Sequence, residues 1–260
     1  MAEETLLALD IGNTNVVLGI FAAGELVIRR RLSTHSGRTA DEAGALVRLL
    51  CRDGGVDPER IDAVAIASVA PKAGMVYGEM SRTHLHCEPF FIHGELKGFK
   101  NRYRDPATVG ADRVCVASAG FHKYGGPLLI LDFGTAITID VVLGQGEYMG
   151  GVILPGLETG VETLHNSAAL LPKVRLEMVD RAIGQTTEES IRIGLMRGTV
   201  EALRGLIAAI REELNTGEVK VIATGGLASR IAPYLPEVTA VEPDLVLHGI
   251  HLLYTRVKHL

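Results

Sequence analysis

The amino-acid sequence predicts an α/β protein with two domains, each built around a mixed β-sheet. Apolar runs of strand length alternate with amphipathic segments of helical period along all 260 residues. Two segments, LLALDIGNT (6–14) and LLILDFGTA (128–136), share one order: apolar strand, aspartate, apolar residue, glycine, small residues. Asp10 and Asp132 are 122 residues apart, close to half the chain, which favours two related domains over chance recurrence of a short pattern.

The first predicted domain comprises residues 1–118. Its aspartate turn is followed by a second β-type run, NVVLGIF, which indicates a strand–turn–strand unit. Thr39 stands three residues before Glu42, the spacing of a capping box that opens a helix through about Cys51. The run DAVAIASVAP (62–71) is apolar throughout, as a strand of a parallel sheet requires, and it ends at a proline. The other predicted elements here are strands at 27–34 and 87–92 and helices near 72–84 and at 110–124.

The second predicted domain comprises residues 119–260, after a compact hinge near 118–125. It repeats the opening unit, because ITIDVVL follows the second aspartate turn. Beyond it, EYMGGVILPG predicts a strand and a turn, GLETGVETLHNSAALL (156–171) a helix, and residues 186–214 one long or broken helix. VKVIATGG (219–226) predicts a strand entering a glycine turn, and LVLHGIHLLYTRVK predicts a terminal helix.

Composition and charge exclude several classes of partner. The net charge of −5 and a pI of about 6.0 give no basic field that would recruit nucleic acid or anionic lipid. The most apolar long window, residues 125–144, contains Asp132 and Asp140, whose burial in a bilayer is costly, so two core strands are predicted instead of a membrane span. The start MAEETLLALD lacks the features of a signal peptide, and three scattered cysteines fit a reducing compartment, so a cytoplasmic protein is predicted.

The two aspartate–glycine turns have a structural and a functional interpretation. Glycine, asparagine and aspartate are residues that a tight hairpin turn needs in any case. The same residues suit a nucleotide triphosphate, because glycine permits close approach of the backbone and small polar residues add donors for phosphate oxygens. Asp10 and Asp132 would repel phosphate, so they would hold Mg²⁺, directly or through its waters, or a monovalent cation.

A third glycine turn, IATGGLA (222–228), follows a predicted strand and opens a helix. The Gly225–Gly226 pair would let a ring or a ribose lie flat against the backbone. The chain has no G-x-G-x-x-G after a strand and no P-loop motif, so any nucleotide site is of a different kind from these two.

These motifs, in this order, resemble the two phosphate motifs and the adenosine motif of the actin, hexokinase and Hsp70 superfamily. Over nearly its whole length the chain is similar to the type III pantothenate kinases, and VGADR together with GGVILPG is the narrowest part of that match. The resemblance implies two RNase H-like (actin/hexokinase-type) domains with mixed sheets flanking an ATP cleft. The segments that carry it are LDIGNTNVVLG (9–19), RTADE (38–42), VGADR (109–113), LDFGTAITID (131–140), GGVILPG (150–156), LPKV (171–174), IGQTTEES (183–190) and VIATGGLA (221–228).

The family resemblance implies an activity and its cofactors. It implies ATP-dependent phosphorylation of pantothenate, the first step of coenzyme A biosynthesis, by a cytoplasmic homodimer that uses Mg²⁺ and K⁺ or NH₄⁺. Asp112 becomes the general base, Asp132 the holder of the monovalent cation and Asp10 the holder of Mg²⁺. The implied ATP-binding residues are Asp10, Ile11, Gly12, Asn13, Thr14, Asn15, Val16, Val17, Thr135, Gly225 and Gly226. The implied pantothenate-binding residues are Tyr103, Gly110, Ala111, Asp112, Arg113 and Thr187.

The role of Asp112 also has support from chemistry alone. A carboxylate near an attacking hydroxyl orients it and accepts its proton late in phosphoryl transfer. The start of a helix stabilises that carboxylate, and Arg113 can pair with the carboxylate of an acid substrate. The competing interpretation is that Asp112 is only a first-turn helix carboxylate and Arg113 its surface partner.

The chain departs from the usual family pattern ahead of and after the predicted site. Asp105-Pro106 stands where Asn-Pro is common, and GFKNRY (98–103) replaces a frequent Lys-Thr-Gly, which affects the placing of Tyr103. IRIG (191–194) stands where Met-Gln-Ser-Gly is frequent, and His248 replaces a common acidic residue. None of these departures touches Asp10, Asp112 or Asp132. Two alternative functions are kept: a non-catalytic nucleotide-binding accessory protein, against which the intact aspartates argue, and a kinase for another small hydroxy acid or sugar.

Overall fold

A computed structural model describes residues 4–168 and 170–258. Two regions named in the sequence analysis reach outside these ranges: the start of the chain, which argues against a signal peptide, and residue 169 of the helix predicted at 156–171. The chain divides into two compact units. The first unit comprises residues 1–123 and 244–260, and the second unit comprises residues 124–243.

Strands and helices alternate as the sequence predicts. The strands are β1 (Thr5–Ile11), β2 (Asn15–Ala22), β3 (Glu25–Ser33), β4 (Ala63–Ser68), β5 (Pro89–Phe91), β6 (Lys100–Asn101), β7 (Leu128–Phe133), β8 (Ala136–Val142), β9 (Glu147–Pro155), β10 (Lys220–Thr224) and β11 (Ala240–Val241). The α-helices are α1 (Ala40–Asp53), α2 (Pro71–His84), α3 (Ala111–Tyr124), α4 (Leu157–Ser167), α5 (Thr187–Arg192), α6 (Gly198–Leu214), α7 (Ala228–Ile231) and α8 (Leu245–Lys258).

The first unit has a mixed sheet in the order β3-β2-β1-β4-β5. β1, β2 and β3 form an antiparallel meander, whereas β4 pairs parallel to β1 and β5 pairs parallel to β4. Alternate residues of β1, including Leu7 and Leu9, join a core cluster with Val47 of α1 and Met80 of α2. The opposite face of β1 therefore carries Leu6, Ala8 and Asp10, since side chains alternate along a strand.

Helix α1 begins where the capping box predicts. The Thr39 side chain accepts a hydrogen bond from the Glu42 N–H at 3.2 Å, and the Glu42 carboxylate accepts one from the Thr39 N–H at 2.8 Å. These two bonds satisfy backbone donors that a helix start leaves unpaired. The predicted helix start is confirmed.

The second unit repeats the strand order of the first. Its strands run β11-β10-β7-β8-β9, with β7, β8 and β9 antiparallel, β10 parallel to β7 and β11 parallel to β10. Asp10 on β1 and Asp132 on β7 occupy corresponding positions, each one residue before the end of its strand. The internal repeat inferred from LLALDIGNT and LLILDFGTA is therefore confirmed as a repeated topology.

The last helix, α8, belongs to the first unit, whereas the sequence prediction grouped residues 119–260 in one domain. Its apolar side packs against β1, β2 and β4, with Leu247 and Ile250 buried. Phe21 of β2 stacks on the His251 ring at 4.5 Å and meets the His248 ring edge-on at 5.6 Å. The sequence does not predict this grouping, because the apolar period of α8 identifies a helix but does not specify which sheet the helix packs against. Contacts between distant segments decide that.

The long helical segment predicted at 186–214 has a break in its hydrogen-bonding pattern. α5 continues into a π-helical turn, Ile193–Arg197, and then into α6. A π-turn holds an extra residue in the helix and shifts the register of the side chains beyond it. Among the residues that the structure describes, no helix has both the length and the apolar character needed to cross a bilayer.

Candidate functional site

The first aspartate turn is a short hairpin between β1 and β2. Asp10 pairs with Val17 of β2 across the hairpin and with Ala67 of β4. Its carboxylate therefore lies at the C-terminal end of β1, the central strand of the sheet. Gly12 to Thr14 connect the strands, and the Gly12 N–H donates to the Asn15 carbonyl at 2.9 Å. A Cβ at Gly12 would lie 3.2 Å from that carbonyl oxygen, a tight contact that a shift of a few tenths of an ångström would relieve.

A residue from the third strand region braces this turn. The Thr34 hydroxyl donates to the Gly12 carbonyl at 2.8 Å, and the Thr34 N–H donates to the Thr14 carbonyl at 2.9 Å. Both bonds fix carbonyl groups of the turn by directing them toward Thr34. The side chains of Asn13 and Thr14 are exposed. The turn therefore has a fixed backbone and presents polar side chains to a ligand.

Asp112 is the second residue of α3, as the sequence predicts. Its Oδ1 accepts a hydrogen bond from the Arg113 N–H at 2.8 Å. Gly110 precedes the helix, and a Cβ there would lie 2.5 Å from this same Oδ1 and 3.3 Å from Val69 Cγ1. Gly110 therefore lets the carboxylate fold back against the backbone, and any larger residue would displace it.

Burial changes the ionisation of Asp112. The surrounding protein raises the pKa of its carboxyl group above the ordinary value of 3.8, although the Arg113 N–H and the Arg113 charge act in the opposite direction. Arg113 is itself buried, with 8% of its surface exposed. The site therefore disfavours the ionised form of this carboxyl group, as is common for catalytic acids and bases.

Asp10 and Asp112 both lie within electrostatic reach of one buried thiol. Cys115 is fully buried on α3, one turn after Asp112, and burial is the largest cause of the raised pKa of its thiol. The charges of Asp10 and Asp112 each raise that pKa further. The carboxylate of the β1 turn and the carboxylate of α3, which are 102 residues apart in the sequence, therefore act on the same buried group of the first unit.

Tyr103 lies on the irregular segment ahead of α3. Its side chain is 37% exposed, and its N–H donates to the Asn101 side-chain oxygen at 2.9 Å. The Asn101 amide group in turn donates to the Gly94 carbonyl at 3.0 Å. The segment that carries Tyr103 is therefore fastened by Asn101, although GFKNRY departs from the family pattern.

The second aspartate turn is packed against the third glycine turn within the second unit. Thr224 of β10 pairs with Asp132 of β7, so Gly225 follows directly beside the carboxylate. Gly225 has φ of +90°, and a Cβ there would overlap Asp132 Oδ1 and lie 2.6 Å from the Phe133 nitrogen. The sequence therefore places a glycine where both the backbone angle and the close approach require one, and Gly226 continues the exposed turn.

Thr135 lies in the exposed Gly134–Thr135 connection between β7 and β8. Its carbonyl accepts a hydrogen bond from the Thr159 hydroxyl at 2.9 Å. A Cβ at Gly156, the residue before α4, would overlap the Thr135 carbonyl oxygen. The turn is therefore held against the beginning of α4, and it is one residue shorter than the Gly12–Thr14 connection.

Thr187 is the first residue of α5 and is exposed. Together with Ser190 and apolar side chains that include Leu195, it lines a cavity of about 310 Å³ on the second unit. The link of Thr187 to a substrate comes from the family resemblance.

Asp10 and Asp132 suit cations whose coordination shell is completed by a bound ligand and not by protein groups alone. Among residues 4–168 and 170–258, no group of three or more histidine, cysteine, aspartate or glutamate side chains could hold a metal ion. Asp10 and Asp132 offer hard oxygen donors, which Mg²⁺ and K⁺ prefer, and Mg²⁺ typically takes one or two carboxylates with phosphate and water. The carboxylates therefore fit cations that arrive with a phosphorylated ligand.

Several residues that build the site were not singled out by the sequence analysis. Three of them contact a predicted site residue directly: Thr34, Gly156 and Thr159. The fourth, Cys115, interacts electrostatically with Asp10 and Asp112. Thr34 had a usable signal, since the end of a third meander strand lies beside the turn between the first two. Cys115 had none, because its position depends on how α3 packs.

Comparison with protein families and curated proteins gives one consistent match. Residues 6–209 match the family model described as type III pantothenate kinase. A protein of that name from Thermomicrobium roseum is 43% identical over 253 residues, which cover 97% of this chain and 97% of the relative. Another of that name, from Moorella thermoacetica, is 40% identical over 252 residues, covering 96% of this chain and 99% of the relative.

Solved structures confirm the fold class. The ROK hexokinase from Thermus thermophilus aligns with a TM-score of 0.54 at 15% identity, covering 98% of this chain and all of that one. The activator of the 2-hydroxyisocaproyl-CoA dehydratase from Clostridium difficile, solved with bound ADPNP, aligns with a TM-score of 0.58 at 14% identity, covering 98% of both chains. The chain therefore has the actin/hexokinase-type fold, as the sequence predicts.

Proposed function

The chain belongs to the type III pantothenate kinase family, and on that premise we propose how its own residues carry out the reaction. It uses ATP to phosphorylate pantothenate in coenzyme A biosynthesis. Close relatives that carry this enzyme name favour catalysis over the alternative of a non-catalytic accessory protein. Each step of the reaction then falls to a particular group of residues.

The observation that carries the proposal is that the charges of Asp10 and Asp112 both act on the buried Cys115 thiol of the first unit. Asp112 is the general base, which orients the attacking hydroxyl of pantothenate and accepts its proton. Asp10 holds Mg²⁺, directly or through its waters. Bound Mg²⁺ supplies neutralisation of the charge on the ATP phosphates.

The substrate residues are proposed from α3 and its surroundings. Gly110 and Ala111 bring the start of α3 close to pantothenate, and the Arg113 guanidinium pairs with the substrate carboxylate. Tyr103, on the segment fastened by Asn101, contacts the same substrate. Thr187 supplies a hydroxyl from the start of α5.

ATP is proposed to bind the residues of both aspartate turns and the third glycine turn. In the first turn these are residues 10–17, whose backbone Thr34 holds in place. In the second unit they are Thr135, Gly225 and Gly226. Asp132 holds the monovalent cation, K⁺ or NH₄⁺, and its packing against Gly225 fixes the carboxylate for that role.

The assembly and the cellular location complete the proposal. The enzyme is a homodimer in the cytoplasm. Support for the dimer comes from the family resemblance. Sedimentation of the purified protein at assay concentration tests it directly.

The proposed function is tested by product analysis of the purified chain. We expect ADP release only when pantothenate and K⁺ or NH₄⁺ are both present, with phosphopantothenate identified by mass spectrometry. Na⁺ at equal ionic strength is the control for the cation. ADP release with other small hydroxy acids or sugars at equal efficiency would contradict the substrate assignment, and ATP binding without ADP release would contradict catalysis.

The raised pKa of Asp112 predicts the acid limb of the pH profile. A general base works only when ionised, so kcat/KM for pantothenate should fall as the pH decreases through a value above the ordinary 3.8. Initial rates at saturating ATP over the acid to neutral range, with circular dichroism at each pH to confirm folding, measure this limb. Activity that persists unchanged to the range of an ordinary exposed aspartate would contradict the assignment of the base.

A further inference from the structure

We infer that Gly249 on α8 is a positioning residue for Asp112, because it lets α8 touch the backbone of α3 and so fixes the start of that helix. The inference rests on the proposed role of Asp112 as the base. Gly249 contacts neither substrate in this assignment. It acts through Cys115 and the turn of α3 that carries Asp112.

The contact between α8 and α3 is one of backbone against backbone. A Cβ at Gly249 would overlap the Cys115 carbonyl oxygen and lie 2.5 Å from the Cys115 carbonyl carbon and 2.7 Å from its Cα. All three are main-chain atoms of a helix, and they cannot rotate aside as the end of a side chain could. The distance between the two helices at this point is therefore set by the absence of a side chain at residue 249.

The same helix also covers the face of β1 that carries Asp10. Ala8 and Gly19 are cross-strand partners, and a Cβ at Gly19 would lie 2.8 Å from Leu247 Cδ1. Leu6 and Phe21 are the next partners on this face, and Phe21 stacks on His251. Asp10 lies on this face of β1, because it follows Leu6 and Ala8 at intervals of two residues.

Helix α8 thus contacts both elements that carry a proposed catalytic carboxylate. It packs on β1, and its Gly249 meets α3 at Cys115, which is three residues after Asp112. Because protein interiors are closely packed, a change in the distance between α8 and α3 moves the first turn of α3 relative to β1. The position of Asp112 relative to Asp10 therefore depends on Gly249.

Gly249→Ala tests the inference. A methyl group at this position forces α3 and α8 apart, and misplacement of a catalytic group by about 1 Å can cost on the order of 10²-fold in rate. We expect kcat to fall about 10- to 100-fold, whereas KM for ATP changes less than about threefold because Gly12 to Thr14 and Thr34 stay in place. Steady-state kinetics with each substrate varied, on protein shown to be folded at the assay temperature, measure both constants.

Two control variants separate positioning from general loss of stability. Gly205→Ala makes the same substitution within α6, where a Cβ meets nothing within 4 Å, and it should keep wild-type kcat. Leu247→Ala removes a buried side chain from α8 without altering the contact with Cys115, so it should lower the melting temperature and keep kcat. Wild-type kcat in folded Gly249→Ala, or an equal loss of kcat in Leu247→Ala, would overturn the inference.

Hydrogen exchange gives a second test that does not need folded Gly249→Ala. Leu247→Ala should keep the ground-state contact with Cys115 but make transient opening of α8 more frequent. If α8 holds α3, amide exchange in residues 111–118 should therefore rise together with exchange in residues 245–253. Exchange in 111–118 that stays at the wild-type rate would overturn the inference. Failure of the base assignment is distinct, because it would appear as turnover in Asp112→Asn and would leave the exchange result unchanged.

Discussion

Replacing Asp112 by asparagine should remove most turnover and leave the protein at least as stable as the wild type. Loss of a general base typically costs about 10²- to 10⁴-fold in rate, and the amide of asparagine cannot accept the proton of the pantothenate hydroxyl. ATP binding should persist, because residues 10–17 and Thr34 are untouched. Rapid-quench or steady-state measurement of kcat, with calorimetric titration of an ATP analogue, separates these two effects.

The expected effect on stability follows from the direction of the pKa shift. The carboxyl group of Asp112 has a higher pKa in the folded protein than in the unfolded chain, so the folded state binds its proton more tightly. Its contribution to stability is therefore full below the unfolded pKa and is lost as the pH rises through the folded pKa. Ionisation of this carboxyl group therefore opposes folding, and an uncharged amide that keeps the bond from the Arg113 N–H removes that opposition.

Asp41→Asn is the matched control for Asp112→Asn. Asp41 is also the second residue of a helix that begins with alanine, but its side chain is 91% exposed and faces His84 at 2.9 Å. An exposed pair of this kind contributes little, so neither kcat nor the melting temperature should change much. Near-normal turnover in Asp112→Asn would show that another group accepts the proton. A melting temperature well below that of the wild type would show that burial of the charge is not the main cost.

Most of the fold could be predicted because local signals and global packing agree. The Asp10 and Asp132 turns have the residues that a close hairpin requires, and the apolar runs on both sides have strand length. The capping box at Thr39 marks the start of α1 without any tertiary information. Repetition of these signals after half the chain was enough to predict two units of one topology.

The remaining features depend on contacts between distant segments. α8 belongs to the first unit because Leu247 and Gly249 fit against Gly19 and Cys115, and nothing in the period of the helix specifies those partners. The last strand of the second unit, Ala240–Val241, has only two residues, so it gives little periodicity. The electrostatic effect of Asp10 and Asp112 on the buried Cys115 thiol likewise results from packing of α3.

The candidate site shows the same division between local and distant information. The residue types in the Asp10, Asp112 and Asp132 segments indicate their chemistry by themselves. The residues that hold them in place come from elsewhere: Thr34 for the first turn and Thr159 for the Thr135 carbonyl. Their hydroxyl groups bond to backbone carbonyls, an interaction that any loop threonine can make and that therefore has no distinctive sequence pattern.

Gly225→Ala should have the largest effect on the second unit, because two requirements for glycine coincide at this residue. At φ of +90° an alanine is strained by about 1–2 kcal/mol. Its methyl group would also overlap Asp132 Oδ1 and lie 2.6 Å from the Phe133 nitrogen, and overpacking of this kind costs about 1–3 kcal/mol. Relief of the overlap requires the β10 turn to move away from the end of β7, which displaces the Asp132 carboxylate.

The expected result for Gly225→Ala is a lower melting temperature, a higher KM for ATP and a weaker response of kcat to K⁺. Gly24→Ala is the matched control, since Gly24 has φ of +81° and a Cβ there meets nothing within 4 Å. It should show the backbone strain alone, with a smaller loss of stability and unchanged kinetics. If both variants lost the same stability and kept the same K⁺ response, contact with Asp132 would have no part in the function of Gly225. A selective loss of K⁺ activation in Gly225→Ala would instead tie the third glycine turn to the carboxylate that is proposed to hold the cation.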